Sequence, residues 1–130
     1  MFVQPTPAQR AILKLLAGIA PHAPEYTRQV EVCVVRGANE QDDLEISVPS
    51  DGLVVIEDIE KAGLISEAVY RDADGQPISL MLHVANGKLY WLEHYKPLPL
   101  PIVKKWPDVE QLVPGPKDLR WDELLRERGL

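Results

Sequence analysis

The sequence predicts an α+β fold, with an N-terminal helix packed on an antiparallel β-meander, then a proline-rich extended arm and a C-terminal helix. Three observations carry that expectation. Apolar residues recur at helical spacing near the start, they alternate with period two in the middle, and two hairpin turns punctuate the alternating part. A chain of 130 residues fits one domain. Its 45% hydrophobic and 26% charged residues give the balance of a globular protein.

Thr6-Pro7-Ala8-Gln9 has the form of a capping box, with Thr6 at the N-cap, Pro7 at the first helical position and Gln9 at the third. Ala8, Ile12, Leu15, Leu16 and Ile19 then form one stripe, so a helix is expected over 7–19, stopped by Pro21 and Pro24. An antiparallel sheet is expected over 28–95. Arg28 to Val35 is rich in β-branched residues and reads as a strand, followed by a polar loop from Gly37. Leu44, Ile46 and Val48 alternate with polar neighbours, as in a half-buried strand, and Pro49-Ser50-Asp51-Gly52 is a turn. Leu53 to Ile56 fits either a further strand or the lead into a short helical turn.

Asp72-Ala73-Asp74-Gly75 reads as a type I turn closed by a left-handed glycine, and Asn86-Gly87 as a two-residue hairpin turn. Strands are therefore expected near 64–71, 77–85 and 88–95. Counting outward from Asn86-Gly87 pairs Ala85 with Lys88, His83 with Tyr90, Met81 with Leu92 and Ser79 with His94. That register puts Leu80, Leu82, Val84, Leu89 and Trp91 on the core face, and His83, Tyr90 and His94 together on a mixed face. Pro97-Leu98-Pro99-Leu100-Pro101 opens an arm over 96–116, expected to run polyproline-like with Leu98, Leu100 and Ile102 as anchors. A last helix is expected over 118–128, with Trp121, Leu124 and Leu125 inward and Gly129 just past its end.

Composition excludes several function classes. No run approaches the roughly 20 apolar residues of a membrane helix, and the N-terminus lacks the basic segment of a signal peptide, so a cytoplasmic protein is expected. A net charge of −6, with Lys104-Lys105 as the one basic doublet, argues against nucleic acid as a partner. Cys33 is the single cysteine and sits in an apolar run, as a buried thiol does. His22, His83 and His94 have no metal-ligand spacing, no nucleophile elbow or phosphate-cradling glycine loop is present, and no metal or cofactor is implied.

Carboxylates are the enriched resource. Glu40 to Glu60 holds eight acidic residues and no lysine or arginine. The plainest reading is a solvated edge that keeps the protein soluble. A second is an acidic surface for a basic partner protein, with Glu40, Asp42, Asp43 and Glu45 joined by His83, Tyr90 and His94. A third is a small enzyme or metal-dependent domain using Asp58, Glu60 or Glu67 with a meander histidine. A homodimeric adaptor joined through a sheet edge or the tryptophan-bearing arm is a further alternative.

The stretch from Ala68 to Leu80, with its Asp72-Ala73-Asp74-Gly75 turn, followed by Leu89-Tyr90-Trp91-Leu92-Glu93 and Tyr95-Lys96, resembles a family of small bacterial domains of unknown function. Some of that family resemble immunity proteins encoded beside polymorphic toxins. The resemblance covers roughly residues 64–97. It implies an association with toxin neutralisation and carries over no catalytic residues.

Overall fold

A computed structural model describes residues 1–40, 42–115 and 120–130. Helix α1 spans Pro7–Gly18 and opens on the expected capping box: the Thr6 hydroxyl accepts the Gln9 N–H, and the Gln9 side chain accepts the Thr6 N–H. Its buried face is Ile12, Leu13, Leu16 and Ala17, rotated from the expected stripe, so that Ile19 lies outside the helix and exposed.

The next element corrects the expectation of a strand from Arg28. Helix α2 spans Ala23–Val32, with Pro24 starting it rather than stopping its predecessor. Tyr26, Gln29, Val30 and Cys33 fall at i, i+3, i+4 and i+7, and all four are buried. Valine's reluctance to be helical amounts to about half a kcal/mol per residue. Burying Tyr26 and Val30 against the sheet is worth roughly 1.5–3 kcal/mol each, so packing overrides propensity.

Strands β1 (Val34–Gly37), β2 (Leu44–Ser47), β3 (Ala62–Arg71), β4 (Pro77–Ala85), β5 (Lys88–Tyr95) and β6 (Val113–Pro114) form one antiparallel sheet in the order β1-β2-β5-β4-β3-β6. The fold is α+β. Between β2 and β3 the chain makes two short 3₁₀ turns, Asp51–Leu53 and Ile56–Asp58. Helices α1 and α2 cover one face of the sheet, over Leu80, Leu82, Val84, Leu89 and Leu92. On the other face, helix α3 (Trp121–Glu127) packs Trp121 and Leu125 on Val69, Met81 and Val113. Residues 118 and 119 of the expected last helix lie outside the described residues. Gly129 takes a positive φ after α3, with Leu130 N–H returning to Leu125 O.

Both hairpin turns form as expected, with positive φ at Asn86, Gly87 and Gly75. Gly87 is also required by space, because a Cβ there would stand 2.5 Å from the Val55 carbonyl oxygen. The register beyond it is not the expected one. Ala85 pairs with Lys88 and Val84 with Leu89, but then His83 pairs with Trp91, leaving Tyr90 as the extra residue of a β-bulge. Every later side chain of β5 changes face. Leu92 and His94 turn into the core, and Trp91 and Glu93 turn out. Without the bulge Glu93 would be buried among leucines, at a cost of several kcal/mol for an unpaired carboxylate.

The proline-rich arm also departs from expectation. Leu100 N–H bonds to Leu98 O across Pro99, a γ-turn contact instead of an extended run, and Leu98 and Leu100 are exposed. Ile102, Leu112 and Val113 are the anchors. Ile102 and Leu112 close the helix-covered core, and Val113–Pro114 then pairs with β3 at the sheet edge.

Candidate functional site

The acidic stretch is contiguous in sequence and divided in space. Strand β2 runs antiparallel to β5, with Leu44 beside Leu92 and Glu45 beside Trp91, so it carries the chain from one end of the sheet to the other. Glu40, Asp42 and Asp43 are therefore left near His94, while Asp51 to Glu60 lie around the Asn86-Gly87 hairpin.

At the first end the carboxylates are engaged within the protein. Asp43 and His94 are both buried, and Asp43 Oδ1 accepts the His94 N–H at 2.7 Å. Burial opposes the charge on Asp43, but contacts from His94 and Asn39 hold its carboxyl below the usual range. His94 Nε2 lies 2.7 Å from the Lys105 carbonyl, and Trp106 packs edge-on against its ring. Asp42 pairs with Lys105 at 2.9 Å, and the Lys105 ammonium reaches towards the Glu40 carbonyl at 3.5 Å. Nearby, Lys96 and Asp72 form a clamp whose side chains are 2% and 0% exposed. The Lys96 ammonium donates to Asp72, Asp74 and the Pro101 carbonyl. The Asp72 carboxylate also accepts the N–H groups of Ala73, Val103 and Lys104. Burial opposes ionisation of Asp72. The Lys104 N–H, the Lys96 ammonium and the N–H groups of Val103 and Ala73 outweigh it and hold the carboxyl well below its usual range.

The hairpin end is different. Its backbone is held by a neutral side chain, Gln29, whose amide donates to the carbonyls of Leu53 and Gly87 and accepts the Leu89 N–H. Asp58 is buried and accepts the Tyr26 hydroxyl at 2.6 Å. Around it, Ile56 and Ile59 are 76% and 53% exposed. Glu57 and Glu60 make no ion pair among the described residues, and Asp51 pairs with Lys88.

From this turn the chain enters β3 at Ala62 and Gly63, and these two line a hollow of about 340 Å³ on the open half of the outer face. Tyr90 and Trp91 also line it, although they are consecutive residues of a strand. The bulge makes that possible, since regular pleating would send them to opposite faces. Their ring centroids are 5.9 Å apart. His83 Nε2 lies 3.1 Å from Glu93 Oε1 at the same hollow. Glu45, the neighbour of Trp91 on β2, pairs with Arg36 at 2.6 Å, and Arg36 stacks over Phe2.

Of the expected site residues, Glu45, His83 and Tyr90 thus lie on or beside the open outer face. His94 does not share a face with His83, as the unbulged register expected; it is in the core with Asp43. None of Asp58, Glu60 and Glu67 hydrogen-bonds a histidine among the described residues. Glu67 is buried and accepts the Ser79 hydroxyl. No three His, Cys, Asp or Glu side chains come together as a metal-ligand set among the described residues. Burial raises the Cys33 thiol above its ordinary range. No helix among the described residues is long and apolar enough to cross a membrane. Sequence reasoning missed Trp91 and Glu93 as surface residues and Gln29 as a buried polar hub. Glu93 was the available signal, because it shares the expected core frame of Leu89 and Trp91.

No protein-family model matches the chain, and no curated protein or solved structure matches it either.

Proposed function

We propose that this protein is a small cytoplasmic protein-binding module without catalytic chemistry, an immunity-type protein that neutralises a basic partner protein. The observation that carries this reading is the hairpin end of the sheet. Exposed Ile56 and Ile59 stand beside Glu57 and Glu60, which lack ion pairs among the described residues, and the same turn leads into the hollow of Tyr90 and Trp91. Apolar and aromatic surface beside uncommitted carboxylates suits a partner that offers Lys and Arg around an apolar centre. The net charge of −6 steers such a partner, and the resemblance of residues 64–97 to immunity-type domains points the same way.

The test is affinity capture from native lysate at low and high salt, with the wild-type chain and the triple variant Glu57→Lys, Ile59→Asp, Glu60→Lys. One basic protein held by the wild type at low salt, released at high salt and lost by the variant supports the reading. Equal retention by both chains, or no retained basic protein, overturns it.

A further inference from the structure

The hollow beside Tyr90 and Trp91 has a composition that selects its ligand. We propose that it receives one arginine side chain, the guanidinium lying against the aromatic pair and bonding Glu93. This deepens the protein-binding reading and rests on it for the source of the arginine. Three features of the site support a cation of that shape.

The first is the wall. Tyr90 and Trp91 present two rings to one opening, tilted 40° to each other, because the bulge places neighbouring residues on one side of the sheet. Aromatic faces attract cations, and the flat guanidinium stacks on them better than an ammonium does. The second is the carboxylate. Glu93 Oε1 is occupied by His83 Nε2, while Oε2 has no hydrogen bond among the described residues and faces no lysine or arginine partner. A carboxylate with one oxygen anchored and one open is already oriented, so little side-chain freedom is lost when it accepts a charged donor. The third is the floor. Ala62 and Gly63 keep it shallow and open. Gly63 has φ of +135°, a conformation that other residues rarely adopt, so the gap there is built into the backbone. An aliphatic ligand would leave Glu93 Oε2 covered and unbonded, and an anion would meet the Glu93 carboxylate with no lysine or arginine lining the hollow.

The experiment titrates the intact protein with acetyl-arginine-N-methylamide while recording ¹H–¹⁵N spectra. The Trp91 indole N–H and the Gly63 amide should shift together and saturate in the millimolar range. Acetyl-citrulline-N-methylamide, which matches the shape without the charge, should shift them at least about tenfold more weakly, and Glu93→Gln should cost a similar factor towards the arginine probe. The proposal is overturned if citrulline matches arginine, or if arginine moves only signals of Asp51, Glu57 and Glu60 and leaves Trp91 unmoved. The citrulline comparison uses the wild-type chain, so it stands even if Glu93→Gln fails to fold. Saturation at Trp91 without a captured basic partner would uphold the hollow and remove the proposed partner. A captured partner with a silent hollow would do the reverse.

Discussion

The two ends of the meander carry similar residues and use them in opposite ways. At the Asp72 turn, the Asp72 carboxylate is buried, bonded to backbone N–H groups and paired with Lys96, which also holds the exposed Asp74, and α3 covers the outer face. At the Asn86 turn, a neutral glutamine holds the backbone, and the outer face beyond it is uncovered. The contrast separates charge that fixes the chain from charge left available. A count of acidic residues merges the two kinds, and only their partners tell them apart.

Breaking the clamp is the strongest test of the first half of that contrast. Asp72→Ala leaves the Lys96 ammonium buried and three N–H groups without their acceptor, so it should cost roughly 3–5 kcal/mol in urea unfolding. A loss below about 1 kcal/mol would mean that the clamp contributes little. The clamp also sets the response to acid. Asp72 and Asp43 both have folded-state carboxyl pKa values below the ordinary range. Their contribution is complete above the unfolded value of about 3.9 and is lost as pH falls towards the lower folded values. The urea midpoint should therefore stay level from neutral pH to about pH 5 and drop below that, and Asp72→Asn should flatten the drop.

The neutral hub comes next in size. Gln29→Leu keeps the volume but strands the Leu53 carbonyl and the Leu89 N–H, while the Gly87 carbonyl keeps the Val55 N–H, and should cost about 2–3 kcal/mol. Its unfolding should keep the wild-type drop at acid pH, which distinguishes it from Asp72→Asn. The smallest effect is expected at the open surface. Tyr90→Ser and Glu57→Lys should leave the urea midpoint nearly unmoved while weakening partner capture. A large stability loss from either would show that the hairpin end is also structural.

Much of the architecture was legible in the sequence, because local chemistry dictates it. Thr6 and Gln9 cap α1, Gly75 and Gly87 supply positive φ, and the alternation in β2 and β4 is regular. What failed was wherever tertiary packing overrules local pattern. Residues 28–32 look like a strand by composition, but only the helix puts Tyr26, Gln29 and Val30 on one buried face. The bulge at Tyr90 has no turn signature of its own, and it appears only when the burial of Glu93 is weighed against that of Leu92. The candidate site was partly legible: Tyr90 and His83 are identified by the sequence, whereas its unbulged register puts Trp91 on the core face and leaves Glu93 unplaced. Pairing by Lys105, Arg36 and Lys88 could not be anticipated, since those partners are brought in by the fold.

The route of the C-terminal arm has a consequence for how the chain is made. Strands β1 to β5 precede residue 96, but Ile102 and Leu112 close the core, Val113 completes the sheet, and Trp121 covers the outer face. During translation these covers leave the ribosome after the strands they close. The nascent meander therefore emerges with the β3 edge unpaired and Val69 and Met81 uncovered, an apolar surface and strand edge of the kind that invites aggregation. Among the described residues the hairpin end is built from segments before residue 96, so it is assembled on the growing chain before its opposite end is sealed.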